Sequence, residues 1–142
     1  MLVTEKLTKR YGDFTAVEDL NLTVKEGAIF GFLGHNGAGK TTTLSMLTTL
    51  LLPTEGNASI AGLDVVKYNF KVRSLLGYLP ESVMLYGDLT AAENLIFFGK
   101  LSGVEKVEAR IDEVLGLLGL VGWKNKKLMT FSKGMRQRIG IA

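Results

Sequence analysis

Five residues raise the first chemical question: Gly34, Gly37, Gly39, Lys40 and Thr41. With His35, Asn36 and Ala38 they fill the pattern G-x-x-x-x-G-K-[ST], and Thr42 follows directly. Glycines lack a Cβ, so the backbone can take unusual dihedrals and approach an anion closely. Successive N–H groups then converge on phosphate oxygens at the positive end of the following helix. Lys40 is placed to reach the β- and γ-phosphates of a nucleotide, and Thr41 offers a hydroxyl to Mg²⁺. The plain alternative is a glycine turn before a helix, with Lys40 merely solvated. A dinucleotide fingerprint fits less well. Gly37-Ala38-Gly39 would require Gly or Ala where Thr42 stands.

The flanking elements must position such a loop. Residues 28–33 are nearly all apolar and predict a strand buried on both faces, as in parallel sheets. In residues 43–51, Leu44, Leu47 and Leu51 recur at helical spacing, and Pro53 ends the helix. Upstream, residues 2–11 read as an edge strand and Tyr11-Gly12-Asp13 as a turn. Residues 16–17 and 20–24 are further strand pieces, with Leu20, Leu22 and Val24 on one side. An antiparallel β-layer thus leads into an α/β core.

Downstream, residues 54–56 predict a turn, 58–61 a short strand, 69–75 a short helix, and 76–79 a strand stopped by Pro80. Thr90-Ala91-Ala92-Glu93 is a capping box opening a helix to about Leu101, with Ala91, Leu95 and Phe98 inward. A helix over residues 104–118 turns Val107, Ile111, Val114, Leu115 and Leu118 to one face. Ser132 caps a last helix over residues 133–142. The expected organisation is a β-layer and phosphate-loop core over about 1–85, then a helical part over about 86–142.

Composition bounds the class. At 142 residues, 46% apolar and 22% charged, the chain suits one globular domain with a real core. Without cysteine it can form no disulfide and no thiolate metal site, which fits a reducing compartment. A single histidine, His35, argues against a histidine metal centre. No charged segment followed by an apolar run marks a signal peptide at Met1, and no stretch is long enough to span a bilayer. The net charge of +3 is uneven. Residues 122–142 hold six basic side chains and no acid, while the other 121 residues carry 11 basic against 14 acidic ones. A basic end is compatible with nucleic acid or with a solvated face. The guanine-reading pattern Asn-Lys-x-Asp fails, because in Asn125-Lys126-Lys127-Leu128 the fourth position is leucine.

Phe131-Ser132-Lys133-Gly134-Met135-Arg136-Gln137-Arg138 resembles the signature of ABC-type ATPases, L-S-G-G-Q. Ser132 and Gly134 match; Phe131, Lys133 and Met135 depart from it, as in exporter-type members. Gly77-Tyr78-Leu79-Pro80-Glu81 resembles the loop ending in glutamine in most members and glutamate in some exporters. The style is that of ATP-binding subunits of multidrug, sodium, antibiotic or heme exporters. The resemblance implies a P-loop NTPase core with an N-terminal antiparallel β-layer and a helical, signature-bearing subdomain. It implies ATP and Mg²⁺ as cofactors. Tyr11 would stack on adenine, and Val17 with residues 34–42 would complete the ATP site. Thr41 and Glu81 would serve the metal. Ser132, Lys133, Gly134 and Met135 would act in trans on the γ-phosphate held by a partner. The implied partners are a second nucleotide-binding subunit, head to tail, and a separate transmembrane permease. The chain would then lie in the cytoplasm, on the inner face of the membrane, and nucleic acid is set aside.

In the family, an apolar strand ending in Asp-Glu follows the signature, and a switch histidine comes later. Neither is found in these 142 residues, so no catalytic residue is assigned. Ile60-Ala61-Gly62-Leu63-Asp64 is the nearest mimic, but Val65 follows. The chain therefore reads as the first part of a nucleotide-binding domain, by truncation or gene fragmentation. It is expected to bind ATP, to hydrolyse it poorly, and to be marginally stable at the apolar edge of residues 28–33. The competing readings are a non-hydrolysing regulatory nucleotide-binding module and a soluble ABC-type protein acting on nucleic acid or ribosomes.

Overall fold

A computed structural model describes residues 1–142. The chain divides into two compact units, Met1–Tyr78 and Leu79–Ala142. No helix is long and apolar enough to cross a membrane.

The first unit is built on a four-stranded antiparallel sheet of order β2-β1-β3-β4, with β1 (Leu2–Tyr11), β2 (Phe14–Val24), β3 (Glu55–Ile60) and β4 (Leu63–Asp64). Tyr11 pairs with Phe14 across a two-residue turn in which Gly12 has φ +56°. A left-handed residue there matches the twist of the hairpin. The strand expected at an edge is interior: β1 pairs with β2 on one side and β3 on the other. Its polar residues suggested solvent, but two of them replace ladder bonds. Lys6 and Asp19 take left-handed backbone and shift the register. Around them, buried Thr4 Oγ1 donates to Leu20 O at 2.8 Å and accepts from the Leu22 N–H at 2.9 Å. Buried Thr8 Oγ1 accepts from the Asp19 N–H at 3.0 Å. These hydroxyls satisfy backbone groups that the bulges would otherwise strand.

Two helices, α1 (Lys40–Leu47) and α2 (Asn69–Ser74), complete this unit. The core gathers Leu7, Met46, Leu47, Ala58, Val65 and Val72. Helix α1 ends four residues earlier than its leucine spacing suggests. Thr49, at φ +65°, turns the chain, and the Leu50 and Thr49 N–H groups close onto Ser45 O and Met46 O. That bond pair is a Schellman stop built on threonine. The Arg73 side chain holds Thr49 by bonds of 2.5 and 3.0 Å.

The buried strand expected at 28–33 does not form. These residues have no strand pairing, and Ile29 and Leu33 are fully exposed. The expected strand at 76–79 is likewise unpaired. An apolar run becomes a buried strand only when neighbours accept both rows of its backbone hydrogen bonds. Every strand of the sheet pairs antiparallel and belongs to the other layer.

The second unit is helical, with α3 (Ala91–Leu101), α4 (Val107–Leu117) and α5 (Lys133–Ile141). Its core joins Ala91, Val107, Ile111, Leu115, Leu120, Leu128, Phe131 and Ile139. Most of the inward faces expected for α3 and α4 are observed, with Leu95 and Leu118 partly buried against the core, but Val114 is not part of that cluster and Phe98 packs with Tyr86 and Phe97 instead. Gly99 lets α3 approach α4; a Cβ there would lie 2.8 Å from Val107 Cγ2. Fully buried Asn94 is satisfied on both ends. Its amide donates to Tyr86 O and Thr90 O, and its carbonyl accepts from the Tyr86 N–H.

Candidate functional site

The glycine loop lies between β2 and α1 in sequence and rests on β2 in space. Gly37 and Gly39 have φ of +86° and +77°. A Cβ on Gly39 would stand 2.3 Å from Ala16 O and 2.9 Å from Val17 Cγ2. No side chain fits there, and glycine alone takes that backbone without strain. The floor made by Ala16 and Val17 brings Val17 to the loop. Its sequence signal was only a strand residue, since nothing local says which loop crosses it.

Helix α1 starts directly from this turn. It has no side-chain cap and no acid in its first turn. The N–H groups of Lys40, Thr41 and Thr42 meet no acceptor within the chain. The Lys40 ammonium donates to Gly34 O and His35 O, both at 2.6 Å, which holds the positive charge across the loop. His35 Nδ1 lies 2.8 Å from Asn36 O. Free donors, a helix dipole and a fixed ammonium form a cradle for a multiply charged anion. A phosphate chain therefore fits these residues. A divalent cation does not find a protein cage, since no group of three metal-binding side chains exists. Such an ion would rely on Thr41, on phosphate oxygens and on water.

Tyr11 ends β1 half-exposed, with the Lys9 ammonium 5.2 Å from its ring centroid. Glu81 belongs to the second unit, apart in sequence from Thr41, and its carboxylate pairs with Lys133 at 3.1 Å. Sequence reasoning did not foresee this pair, because 52 residues separate the partners. Ser132 caps α5 by accepting from the Met135 N–H at 3.2 Å, as its position suggested. The single Asp-Glu dipeptide, Asp112-Glu113, sits on α4 and not at a strand end. Asp112 there pairs with Lys124 at 2.7 Å.

Similarity to known proteins agrees with this geometry. The chain is 45% identical over 142 residues to the bacitracin transport ATP-binding protein BcrA of Bacillus licheniformis, covering all of this chain and 46% of that protein. It is 42% identical over 143 residues to the linearmycin resistance ATP-binding protein LnrL of Bacillus subtilis, covering 99% and 46%. The chain thus spans about half the length of these curated relatives. Among solved structures it resembles an ATP-binding cassette in a dimeric, post-hydrolysis state bound to ADP and Pi. The TM-score is 0.81 at 26% identity, over 99% of this chain and 67% of that one. The fold is accordingly that of P-loop NTPases, even though residues 28–33 lack a parallel neighbour here. A family model described as "ABC transporter" matches residues 17–142, and the chain belongs to that family.

Proposed function

We propose that this chain is the ATP-holding part of an ABC transporter's ATP-binding subunit, of the exporter type. The observation that carries the reading is the cradle: Gly39 seated on Ala16 and Val17, with Lys40 folded across the loop carbonyls at an uncapped helix start. Residues 34–42 hold the phosphates, Val17 closes the floor, and Tyr11 offers a face to the base. Bound Mg²⁺ would neutralise phosphate charge beside Thr41. Ser132, Lys133, Gly134 and Met135 serve a second subunit's nucleotide, and a separate membrane subunit does the transport. The names of the bacitracin and linearmycin relatives support an export role. The chain would then work at the cytoplasmic face of a membrane, through that subunit.

The test is titration of the purified chain with ATP and Mg²⁺. Lys40→Ala should weaken binding on the order of 10- to 100-fold, the range of a lost charge-assisted hydrogen-bond donor. Equal affinity for variant and wild type would end the assignment. Phosphate release should stay near background, because no strand-end Asp-Glu pair is there to hold the metal and place the attacking water. Robust turnover that depends on Lys40 would show that another residue supplies that role.

A further inference from the structure

Three residues on one face of α5 meet the segment 79–83. Lys133, Gln137 and Gly140 follow one another at helical spacing of four and three. Lys133 Nζ donates to Glu81 Oε1 at 3.1 Å, and Gln137 Nε2 donates to Glu81 O at 3.4 Å. At the far end, a Cβ on Gly140 would lie 2.8 Å from both Leu79 Cδ1 and Val83 Cγ1, so these two side chains pack directly on the bare helix surface there. The segment is thus seated along the helix from its first residue to its last turn.

Both charged members are among the departures from the family pattern. Glu81 stands where glutamine is usual, and Lys133 stands inside the signature where a glycine is usual. Each departure alone adds a charge beside the N-terminus of α5. An acid brings its own favourable interaction with that end of the helix, while a lysine there opposes the dipole. Together they neutralise one another. We propose that Glu81 and Lys133 are one compensating latch, through which the segment 79–83 sets the position and the net charge of the signature turn. Glu81 is a positioning residue: it acts through Lys133 and Gln137. The functional weight of the latch rests on reading residues 131–138 as the signature, but its existence does not.

Two experiments without nucleotide test it, so their failure leaves the ATP reading standing, and failure of ATP binding leaves the latch standing. A water-soluble carbodiimide condenses neighbouring ammonium and carboxylate groups into an amide, the lost water being taken up as the urea by-product. Peptide mapping should find Lys133 joined to Glu81. The pairs Lys100–Glu108 at 2.6 Å and Lys124–Asp112 at 2.7 Å are internal controls. Cross-linking of both controls with none at Lys133–Glu81 would overturn the proposal. Because the chain has no cysteine, Ser82→Cys also provides a unique spin-label site. Lys133→Met and Glu81→Gln should each raise the mobile-to-immobile ratio of that label by roughly two- to five-fold, the range an exposed ion pair supports. Lys133→Arg should keep the wild-type spectrum, and Glu81→Lys combined with Lys133→Glu should restore it. An unchanged spectrum in Lys133→Met, or a charge reversal that fails to restore, refutes the latch.

Discussion

Three helix starts in this molecule handle the same problem differently. The first N–H groups of any α-helix have no partner inside the helix. At α3 the chain satisfies them completely. Thr90 Oγ1 accepts from the Glu93 N–H, the Glu93 carboxylate accepts from the Thr90 N–H, and the Ala91 and Ala92 N–H groups donate to Lys126 O and Lys124 O. At α5 the chain satisfies them in part: Ser132 takes one, and the Lys133 and Gly134 N–H groups stay free. At α1 nothing in the chain takes the first three. Missing a side-chain cap is not the distinction, since α4 also lacks one, but α4 carries Glu108 in its first turn. Only α1 combines open donors with left-handed glycines before it and an ammonium folded over them. On the proposed reading, the donors left open at α1 are where an anion completes the structure, whereas α3 is finished by its own residues.

That contrast can be broken from either side. The largest effect is expected at Gly39→Ala. A Cβ at φ +77° and 2.3 Å from Ala16 O must push the loop off β2. Backbone strain alone costs about 1–3 kcal/mol, and saturable ATP binding should disappear. Thermal melts and ATP titration measure the two parts; a variant as stable as wild type that still binds ATP would mean the floor is not needed. Next is Ser132→Ala, which reopens a donor at α5 and should destabilise the chain by about 1 kcal/mol. Ser132→Asp should restore most of it, read by urea unfolding. If alanine costs nothing, α5 is as open as α1 and the gradation fails.

The smallest effect is a dependence on pH at α3. The Glu93 carboxyl is held below the usual glutamate range, first by the Thr90 backbone N–H and then by the Thr90 hydroxyl. A carboxyl with a lowered folded-state pKa favours folding above the unfolded value, about 4.3, and loses that contribution as pH falls through the folded one. Stability followed by helical circular dichroism should therefore drop more steeply below about pH 4.3 in wild type than in Glu93→Gln, which keeps an acceptor but does not titrate. The Glu108 carboxyl, lowered mainly by its bond to Lys100, contributes in the same direction and is unchanged in both proteins. Identical pH profiles would show that the box is not closed in solution.

Much of this was legible without coordinates. The glycine loop, the Thr90–Glu93 box, the Ser132 cap and most of the inward faces of α3 and α4 follow from patterns a few residues long. Their physics is local: a hydroxyl reaches an N–H three residues on, and a 3.6-residue repeat turns leucines to one side. The tertiary structure decided what depends on distant partners. Residues 28–33 have the composition of a buried strand, yet Ile29 and Leu33 face solvent, because hydrogen-bonding neighbours make a strand and apolar side chains alone do not. β1 looks like an edge but is interior, because Thr4 and Thr8 spend their hydroxyls on the bulges of β2. Gly39 is required by Ala16 and Val17, more than twenty residues earlier, and Glu81 finds Lys133 across 52. A sequence states which groups need partners; only the folded chain determines which partners reach them.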